Sequence, residues 1–371
     1  MPQDDDQRTM SRIPFVDLGP AHVPLGDGLR AAAARVLGSG RFVLGPEVAA
    51  FERELAETLG VAEAVGVSSG TDALTTLLMA AGVGPGDEVI TTPYSFFATV
   101  EAIVRLGAQP VFADIELETM NLDPEGAAGR IGPRTKAVLA VHLFGRAARL
   151  EPLLASCAVA GIPLIEDAAQ AIGAAGVGLG WGAALSFFPS KNLGGFGDGG
   201  AVVTRGADLA ARVRLLRNHG ASQKLEHLEI GGNFRLDELQ AALLRVKLPH
   251  LARWTAERRR LAAAYRELLN HLPIAMPPPD DGCVWNQFVV RVPDQRRAAL
   301  QLHLDERGIA SAIYYATPLH LQPALRFLRH RPGDLPNAEL AARESLALPI
   351  FPGLSDQDLG RVAAALEDFF R

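Results

Sequence analysis

Short β-branched runs alternate with alanine-rich stretches from Ala62 to about Thr204. Strands separated by helices of this length are typical of βαβ units, which build a mainly parallel sheet with helices on both faces. Strands are predicted at 64–67, 88–92, 109–113, 137–141, 163–165, 184–187 and 201–204, and helices between them at 71–81, 98–105, 150–160 and 208–218. The pattern therefore predicts an α/β fold built on a mainly parallel, seven-stranded sheet.

The last third of the chain predicts a second, smaller α/β unit. A long charged helical pattern at 236–269 leads to the proline-rich break Met276-Pro277-Pro278-Pro279, and we interpret that helix as a bridge between domains. Beyond it, strands are predicted at 287–292 and 310–315, and helices at 296–307 and 356–369. A chain of 371 residues is long enough for two cores. We expect a flexible tail at 1–12, a large domain at 13–250 and a small C-terminal domain at 251–371.

Composition narrows the class of protein. The net charge of −6 gives no general attraction to nucleic acid or to an anionic membrane. Two cysteines are too few for a disulfide framework. No apolar run approaches the ~20 residues that span a bilayer, and the acidic start MPQDDDQRTMSR lacks the apolar core of a secretory signal. We expect a cytoplasmic protein with neither nucleic acid nor membrane as a partner.

A carboxylate and a lysine indicate a specific chemistry. Asp167 ends an apolar run, and Lys191 follows in a polar, glycine-flanked turn. Pyridoxal phosphate needs a lysine amine that can form a Schiff base and an anionic carboxylate that keeps its pyridine nitrogen protonated. Taken singly, such residues are more often structural than catalytic: a buried-strand aspartate that caps a helix, and a surface lysine in a loop. Together they predict a catalytic pair that binds this cofactor. No metal site is predicted.

Small and aromatic residues surround this pair in the sequence. Ser68-Ser69-Gly70-Thr71 lies between a predicted strand and helix, where helix N–H groups suit a phosphate, although the same pattern is also typical of a simple N-cap. Ser186 is close enough to Lys191 to reach the same phosphate, and Phe96 follows a strand, where it can stack on a flat ring. The GxGxxG and GK[ST] patterns of dinucleotide and P-loop sites are missing, which argues against NAD redox chemistry and nucleotide hydrolysis.

Ordered motifs along nearly the whole chain, from Phe15 to Pro349, resemble the DegT/DnrJ/StrS family of sugar aminotransferases, which are fold-type-I pyridoxal phosphate enzymes. The motifs are GRFVLGPE, SSGTDAL, GVGPGDEVI, EDAAQAIGA, SFFPSKNLGGFGDGG, NFRLDELQAA, PLHLQPAL and GDLP. The resemblance implies the cofactor lysine for Lys191 and the pyridinium partner for Asp167. It further implies phosphate ligands at Gly70, Thr71 and Ser186, ring contacts at Phe96 and Gln170, and a ligand of the neighbouring subunit's phosphate at Asn233.

The resemblance also implies a homodimer with shared active sites and substrate contacts at Arg235, Tyr314, Tyr315 and His320. Three features depart from the family pattern: Ala316 where proline is common, Leu225 where an aromatic is frequent, and a glycine-rich segment at 173–182. These departures concern the sugar rather than the chemistry. One branch of the family carries histidine in place of the lysine and removes a hydroxyl, and Lys191 argues against membership of it.

The sequence thus predicts an aminotransferase that moves an amino group from L-glutamate to a nucleotide-linked keto-sugar for amino-sugar biosynthesis. The PLHLQPAL form of the C-terminal motif favours carbon 3 over carbon 4. Two alternatives stay open at this point. One is a related pyridoxal phosphate enzyme acting on a cyclitol or as a dehydratase, and the other is a non-catalytic regulatory protein on the same fold.

Overall fold

The computed structural model describes residues 12–223 and 226–371. The predicted tail, apart from Arg12, and the departure at Leu225 lie outside these residues. In the described part of the chain, no helix is both long and apolar enough to cross a membrane.

A seven-stranded sheet forms the centre of the described chain, in the order β1-β7-β6-β5-β4-β2-β3. Its strands are β1 (Glu63–Val67), β2 (Glu88–Thr91), β3 (Gln109–Phe112), β4 (Thr135–Val141), β5 (Leu164–Asp167), β6 (Gly182–Ser186) and β7 (Gly200–Thr204). Only β7 runs antiparallel to its neighbours, since it pairs antiparallel with both β1 and β6. The predicted mainly parallel α/β sheet is confirmed.

Helices cover both faces of this sheet. They are α1 (Gly19–His22), α2 (Gly26–Ser39), α3 (Pro46–Leu59), α4 (Gly70–Ala80), α5 (Ala98–Arg105), α6 (Pro124–Ala128), α7 (Glu151–Ala160), α8 (Ala207–Leu216) and α9 (Glu238–Lys247). Successive strand residues point to opposite faces. Ala201 and Val203 therefore pack in one cluster with α3 and α9, whereas Val202 packs in another with α4 and α8.

The predicted single helix at 236–269 is wrong, because the structure divides it. Helix α9 ends at Lys247, the segment Leu248–His250 forms a 3₁₀ turn, and α10 (Leu251–Leu269) begins after it. Pro249 explains the break. Proline lacks the N–H that an interior helical residue donates, so the hydrogen-bond ladder of the helix is interrupted there.

In the C-terminal part, the remaining elements are β10 (Phe288–Arg291), α11 (Arg297–Glu306), α12 (Pro336–Glu344), β11 (Ser345–Leu348) and α13 (Asp356–Phe370), and a two-stranded ribbon, β8 (Ala221–Gln223) with β9 (Glu226–His227), precedes α9. The predicted strand at 310–315 is wrong. β10 pairs antiparallel with β11 instead, and within 310–315 only Ala312 makes a bridge, to Ala347. The carbonyl of Tyr314 and the N–H of Tyr315 are hydrogen-bonded to the Tyr94 hydroxyl, so they do not form a ladder.

Residues of α10, α11, α13, β10 and β11 share one hydrophobic cluster, and Ile13 from the start of the described chain packs into it as well. The division into domains at residue 250 stays a prediction.

A buried carboxylate caps helix α3 from a distance in sequence. Glu238 is 1% exposed, and its carboxylate accepts hydrogen bonds from the N–H groups of Gly45 at 2.8 Å, Glu47 at 2.9 Å and Val48 at 2.8 Å. These are N–H groups that a helix N-terminus leaves without intrahelical partners. The contact fixes the segment 40–45 against the start of α9.

We expect Glu238→Ala to lower the free energy of unfolding by about 3 kcal/mol, because it leaves buried N–H groups without an acceptor. Glu238→Gln keeps one carbonyl acceptor and should lose less. Glu57→Ala, an exposed glutamate of the same helix α3, is the matched control and should change stability by less than about 0.5 kcal/mol. Urea unfolding followed by circular dichroism measures all three, and equal stability of Glu238→Ala and the wild type would contradict this account.

Candidate functional site

The principal cavity opens at the carboxyl ends of the parallel strands, which is where open α/β sheets bind ligands. It has a volume of about 440 Å³. Asp167 is the last residue of β5, Ser186 is the last residue of β6, and Phe96 follows the end of β2. The structure brings these predicted site residues together as cavity lining: Gly70, Thr71, Phe96, Asp167, Gln170, Ser186, Lys191, Tyr314 and Tyr315.

The start of helix α4 forms one end of the cavity. Ser69 caps the helix, since its hydroxyl accepts the N–H of Asp72 at 3.0 Å, and Gly70 and Thr71 are the first two helical residues. Gly70 packs tightly against Ser186, because a Cβ at residue 70 would lie 2.8 Å from the Cβ of Ser186. A helix N-terminus beside small hydroxyl-bearing residues is a cradle suited to a phosphate.

Asp167 is buried and held by hydrogen bonds. Its Oδ2 accepts from Thr99 Oγ1 at 2.8 Å, and its Oδ1 accepts from the N–H of Ala169 at 3.2 Å. Burial raises the pKa of this carboxyl above its usual value, although the two hydrogen bonds and the nearby Lys191 act in the opposite direction. A bound cation beside this carboxylate would therefore gain a strong partner and keep it ionised.

Lys191 presents a reactive amine. Burial lowers its pKa to about 8, even though the charge of Asp167 acts to raise it. Within residues 12–223 and 226–371, the Lys191 amine has no hydrogen-bond partner and no ion pair. A neutral amine is the nucleophilic form, so a lowered pKa and a free nitrogen both favour attack on a carbonyl.

The segment after Lys191 is anchored on two sides. Asn192 Nδ2 donates to the carbonyl of Val284 at 2.9 Å, and Asn286 Nδ2 donates to Asn192 Oδ1 at 3.0 Å. The carbonyl of Gly194 accepts from Nζ of Lys247, a lysine only 2% exposed. Sequence analysis missed Lys247, because a lysine within an amphipathic helical pattern is typical of an exposed position.

Gln170, at the cavity wall, connects two aromatic residues through hydrogen bonds. Gln170 Nε2 donates to the Tyr315 hydroxyl at 3.1 Å, and Gln170 Oε1 accepts the N–H of Phe144 at 2.7 Å. Gln287, which precedes β10, also lines the cavity, and its Oε1 is buried with no hydrogen-bond partner. No sequence motif marked Gln287.

Other lining residues were also missed. Phe188 and Asp198 lie in the quoted motif around Lys191, and Ser95 adjoins Phe96. Their proximity to Lys191 and Phe96 in the sequence was the one indication that they lie near the site. Proximity in sequence does not show which loop side chains point into the cavity, because that depends on the surrounding fold.

Three predicted site residues lie away from the cavity lining. Asn233 is exposed and pairs with Asn218 in an isolated bridge. Arg235 lines an adjacent hollow together with Asp198, and its Nη1 donates to Asn218 Oδ1 at 3.2 Å. His320 is 2% exposed, and its Nε2 lies 3.2 Å from Glu339 Oε1. The structure therefore places His320 in the protein interior rather than at the cavity surface.

His142, at the end of β4, packs beneath the site. Its Nδ1 accepts the N–H of Ala148 at 2.9 Å, so the ring hydrogen is assigned to Nε2, which lies 2.8 Å from Glu166 Oε2. Glu166 also accepts the N–H groups of Gly178 at 2.8 Å and Gly180 at 2.5 Å. This pair therefore anchors the glycine-rich segment against β5.

The residues present fit pyridoxal phosphate. A free, partly neutral amine, a buried carboxylate, an aromatic ring and a tight cradle at a helix N-terminus are the features that its aldehyde, ring nitrogen, ring face and phosphate require. In the described chain, no group of three or more acidic, histidine or cysteine side chains is placed to hold a metal ion.

The chain is similar over nearly its whole length to curated proteins and to solved structures. The chain is 43% identical over 369 residues to a Geobacillus stearothermophilus protein named "Pleiotropic regulatory protein", across 97% of this chain and 99% of that one. It is 46% identical over 366 residues to the dTDP-3-amino-3,4,6-trideoxy-alpha-D-glucose transaminase of Streptomyces venezuelae, across 96% of both. The crystal structure of S. venezuelae DesV in complex with a ketimine intermediate matches with a TM-score of 0.94 and 44% identity, across 98% of this chain and 99% of that one.

A family model covers almost the same extent. It matches residues 25–367, and its description is the DegT/DnrJ/EryC1/StrS aminotransferase family. Motifs, fold and comparisons agree over nearly the whole length, and the chain belongs to the DegT/DnrJ/EryC1/StrS aminotransferase family.

Proposed function

We propose that this protein uses pyridoxal phosphate to transfer the amino group of L-glutamate to the carbon-3 keto group of a nucleotide-linked sugar, for amino-sugar biosynthesis. The observation that carries the proposal is the free Lys191 amine, with its lowered pKa, in the same cavity as the buried Asp167 carboxylate. The choice of sugar class and carbon is supported by the S. venezuelae relative, whose name specifies a dTDP-linked 3-amino sugar.

The cofactor, when bound, supplies an aldehyde for the lysine and a ring that accepts electrons from the substrate. With the cofactor bound, Lys191 Nζ would act as the base that takes a proton from the donor's α-carbon and returns one to the acceptor. Asp167 stabilises positive charge at the ring nitrogen, and Thr99 Oγ1 keeps the carboxylate oriented for it. Gly70, Thr71 and Ser186 would hold the phosphate, and Phe96 and Gln170 the ring.

Substrate anions need cations that this cavity lacks. Lys191 is the only lysine or arginine among the described residues lining the cavity. The donor's carboxylates and the nucleotide's diphosphate therefore require positive charge from elsewhere. Arg235 fits this need, because it lines the neighbouring hollow that shares Ser69 and Asp198 with the cavity.

Exposed apolar side chains near Asn233 support a homodimer with active sites shared between subunits. Asn233 is exposed, and large apolar side chains near it in the sequence are exposed as well, Leu228 at 63% and Ile230 at 89%. The loop bridged to Asp237 also exposes Phe42 and Val43. Burial of these side chains by a second copy agrees with the role that the family resemblance implies for Asn233, a ligand of the partner's phosphate. His320 is not part of the proposed substrate set, because its side chain is fully buried.

The proposed function is tested by supplying the protein with pyridoxal phosphate, L-glutamate and either a 3-keto or a 4-keto dTDP- or UDP-linked sugar. We expect 2-oxoglutarate and an amino sugar aminated at carbon 3, identified by NMR spectroscopy. Lys191→Ala should reduce the rate by more than about 10³-fold. Amination of the 4-keto substrate alone would overturn the carbon-3 assignment, and amination of neither would overturn the sugar class.

The reactivity of Lys191 toward a small amine reagent such as cyanate should rise with pH to a plateau, with a midpoint near pH 8. Burial favours the neutral amine, so half of it is already reactive at about pH 8. Asp167→Asn should move the midpoint lower, because the negative charge of Asp167 raises this pKa. Peptide mass spectrometry of the cofactor-free protein measures the labelling.

Asp198→Asn is the matched control for that experiment. Asp198 also lines the cavity, but its charge is not among those that shift the Lys191 pKa, so its midpoint should equal that of the wild type. A higher midpoint in Asp167→Asn than in the wild type would show that the electrostatic account of the pair is wrong.

If each active site contains residues of both subunits, two impaired variants should restore activity when they form a mixed dimer. In a mixed dimer of Lys191→Ala and Asn233→Ala subunits, one site combines both substitutions and the other combines neither. Equal mixing after subunit exchange should therefore recover about one quarter of wild-type turnover at limiting cofactor. Mixed samples no more active than the average of the two separate variants would show that Asn233 does not serve the partner's site.

A further inference from the structure

The Tyr94 hydroxyl is a buried junction that the proposed mechanism does not use. Tyr94 is 0% exposed, and it lies between the end of β2 and the cavity-lining Phe96 without lining the cavity itself. Its hydroxyl donates to the carbonyl of Tyr314 and accepts the N–H of Tyr315 at 3.0 Å. Ser345 Oγ lies 2.7 Å from the same oxygen. The phenol thus gives its one hydrogen to the Tyr314 carbonyl and accepts the Tyr315 N–H at one of its lone pairs.

The groups held by this hydroxyl belong to the cavity wall. Tyr314 and Tyr315 both line the cavity, and the ring of Tyr315 packs edge-on against Tyr94 at 5.8 Å and 80°. The far end of Tyr315 is also fixed, since its hydroxyl accepts from Gln170 Nε2 at 3.1 Å. Tyr315 is therefore held at its backbone by one polar contact and at its tip by another.

Regular secondary structure gives this wall little support. Within 310–315, only the bridge between Ala312 and Ala347 connects the backbone to another strand. The next attachment is the N–H of Leu319, which donates to the carbonyl of Pro93 at 2.7 Å. Between these two points, the Tyr94 hydroxyl ties the wall to the large sheet, and Ser345 Oγ reinforces it by donating to the Tyr314 carbonyl at 2.8 Å.

We propose that Tyr94 is a positioning residue for the sugar substrate: its buried hydroxyl fixes the Tyr314–Tyr315 wall and so sets the shape of the cavity for the amino acceptor. This inference rests on the proposed aminotransferase function. The hydroxyl keeps its hydrogen throughout the working range, because burial raises the pKa of Tyr94 to about 12. Without that hydroxyl, the Tyr315 N–H would lose its acceptor and the Tyr314 carbonyl would keep only Ser345 Oγ as a donor, so the wall would rearrange.

The test compares Tyr94→Phe with Tyr265→Phe, which is a matched control. Tyr265 is also 0% exposed, and its hydroxyl makes one hydrogen bond, to the carbonyl of Pro349 at 2.9 Å, away from the cavity lining. Each substitution removes one buried phenolic oxygen. A general loss of stability should therefore appear in both variants, whereas a change in the cavity wall should appear in Tyr94→Phe alone.

The first readout is hydrogen exchange in peptides that cover residues 312–317, measured by mass spectrometry on the cofactor-loaded protein. We expect exchange at least about 10-fold faster in Tyr94→Phe and unchanged in Tyr265→Phe, because the Tyr315 N–H loses its acceptor. This readout needs no turnover. Unchanged exchange in Tyr94→Phe would overturn the proposal even if the protein proved not to be an aminotransferase.

The second readout separates the two half-reactions. We expect Tyr94→Phe to raise KM for the keto-sugar by about 10-fold, while the rate of the half-reaction with L-glutamate stays within about 2-fold of the wild type. Equal effects on both half-reactions, or an equal effect of Tyr265→Phe, would overturn the positioning role. A wild-type protein that reacts with neither substrate would instead overturn the proposed function, so the two failures are distinguishable.

Discussion

Burial of one amine and one carboxylate at the carboxyl edge of the sheet is the constraint on which the rest of the site depends. Removal of water lowers the pKa of Lys191 and raises that of Asp167, so both groups are pushed toward their neutral forms. A neutral amine is a nucleophile, and a buried carboxylate binds a cation strongly. The same desolvation therefore prepares both residues for a cationic, aldehyde-bearing cofactor, and the surrounding protein must hold them there without neutralising either through a competing partner.

The topology of the sheet meets this requirement. Parallel strands bring Asp167 and Ser186 to one edge, and the antiparallel strand β7 returns the chain beside β6. The connection between β6 and β7 carries Lys191, so the lysine is presented over the edge where the carboxylate lies. Contacts from Val284, Asn286 and Lys247 then fix this connection to the rest of the protein. The reactive residue is thus on a loop, but that loop is held on both sides.

Much of the sheet and site was predictable, for identifiable reasons. Strands such as β4 have long β-branched patterns, and the residues around Lys191 lie in continuous motifs, so local sequence carried the information. The predicted long helix is divided at Pro249, which removes one hydrogen bond of the helix. The predicted strand at 310–315 does not form, because a distant side chain, Tyr94, binds its backbone at Tyr314 and Tyr315. The roles of Glu238 and Lys247 could not be predicted, since each acts through partners far away in the sequence. Gln287 could not be predicted either, because only the fold brings it to the cavity.

The central claim is that Lys191 and Asp167 form a working site for pyridoxal phosphate and an amino donor. Its most direct test is the absorption spectrum of the purified protein with pyridoxal phosphate, before and after addition of L-glutamate. The account predicts a near-visible band that depends on Lys191 and moves to shorter wavelength when glutamate is added. Absence of any Lys191-dependent band would contradict the site itself, and a band that glutamate leaves unchanged would contradict the assigned donor.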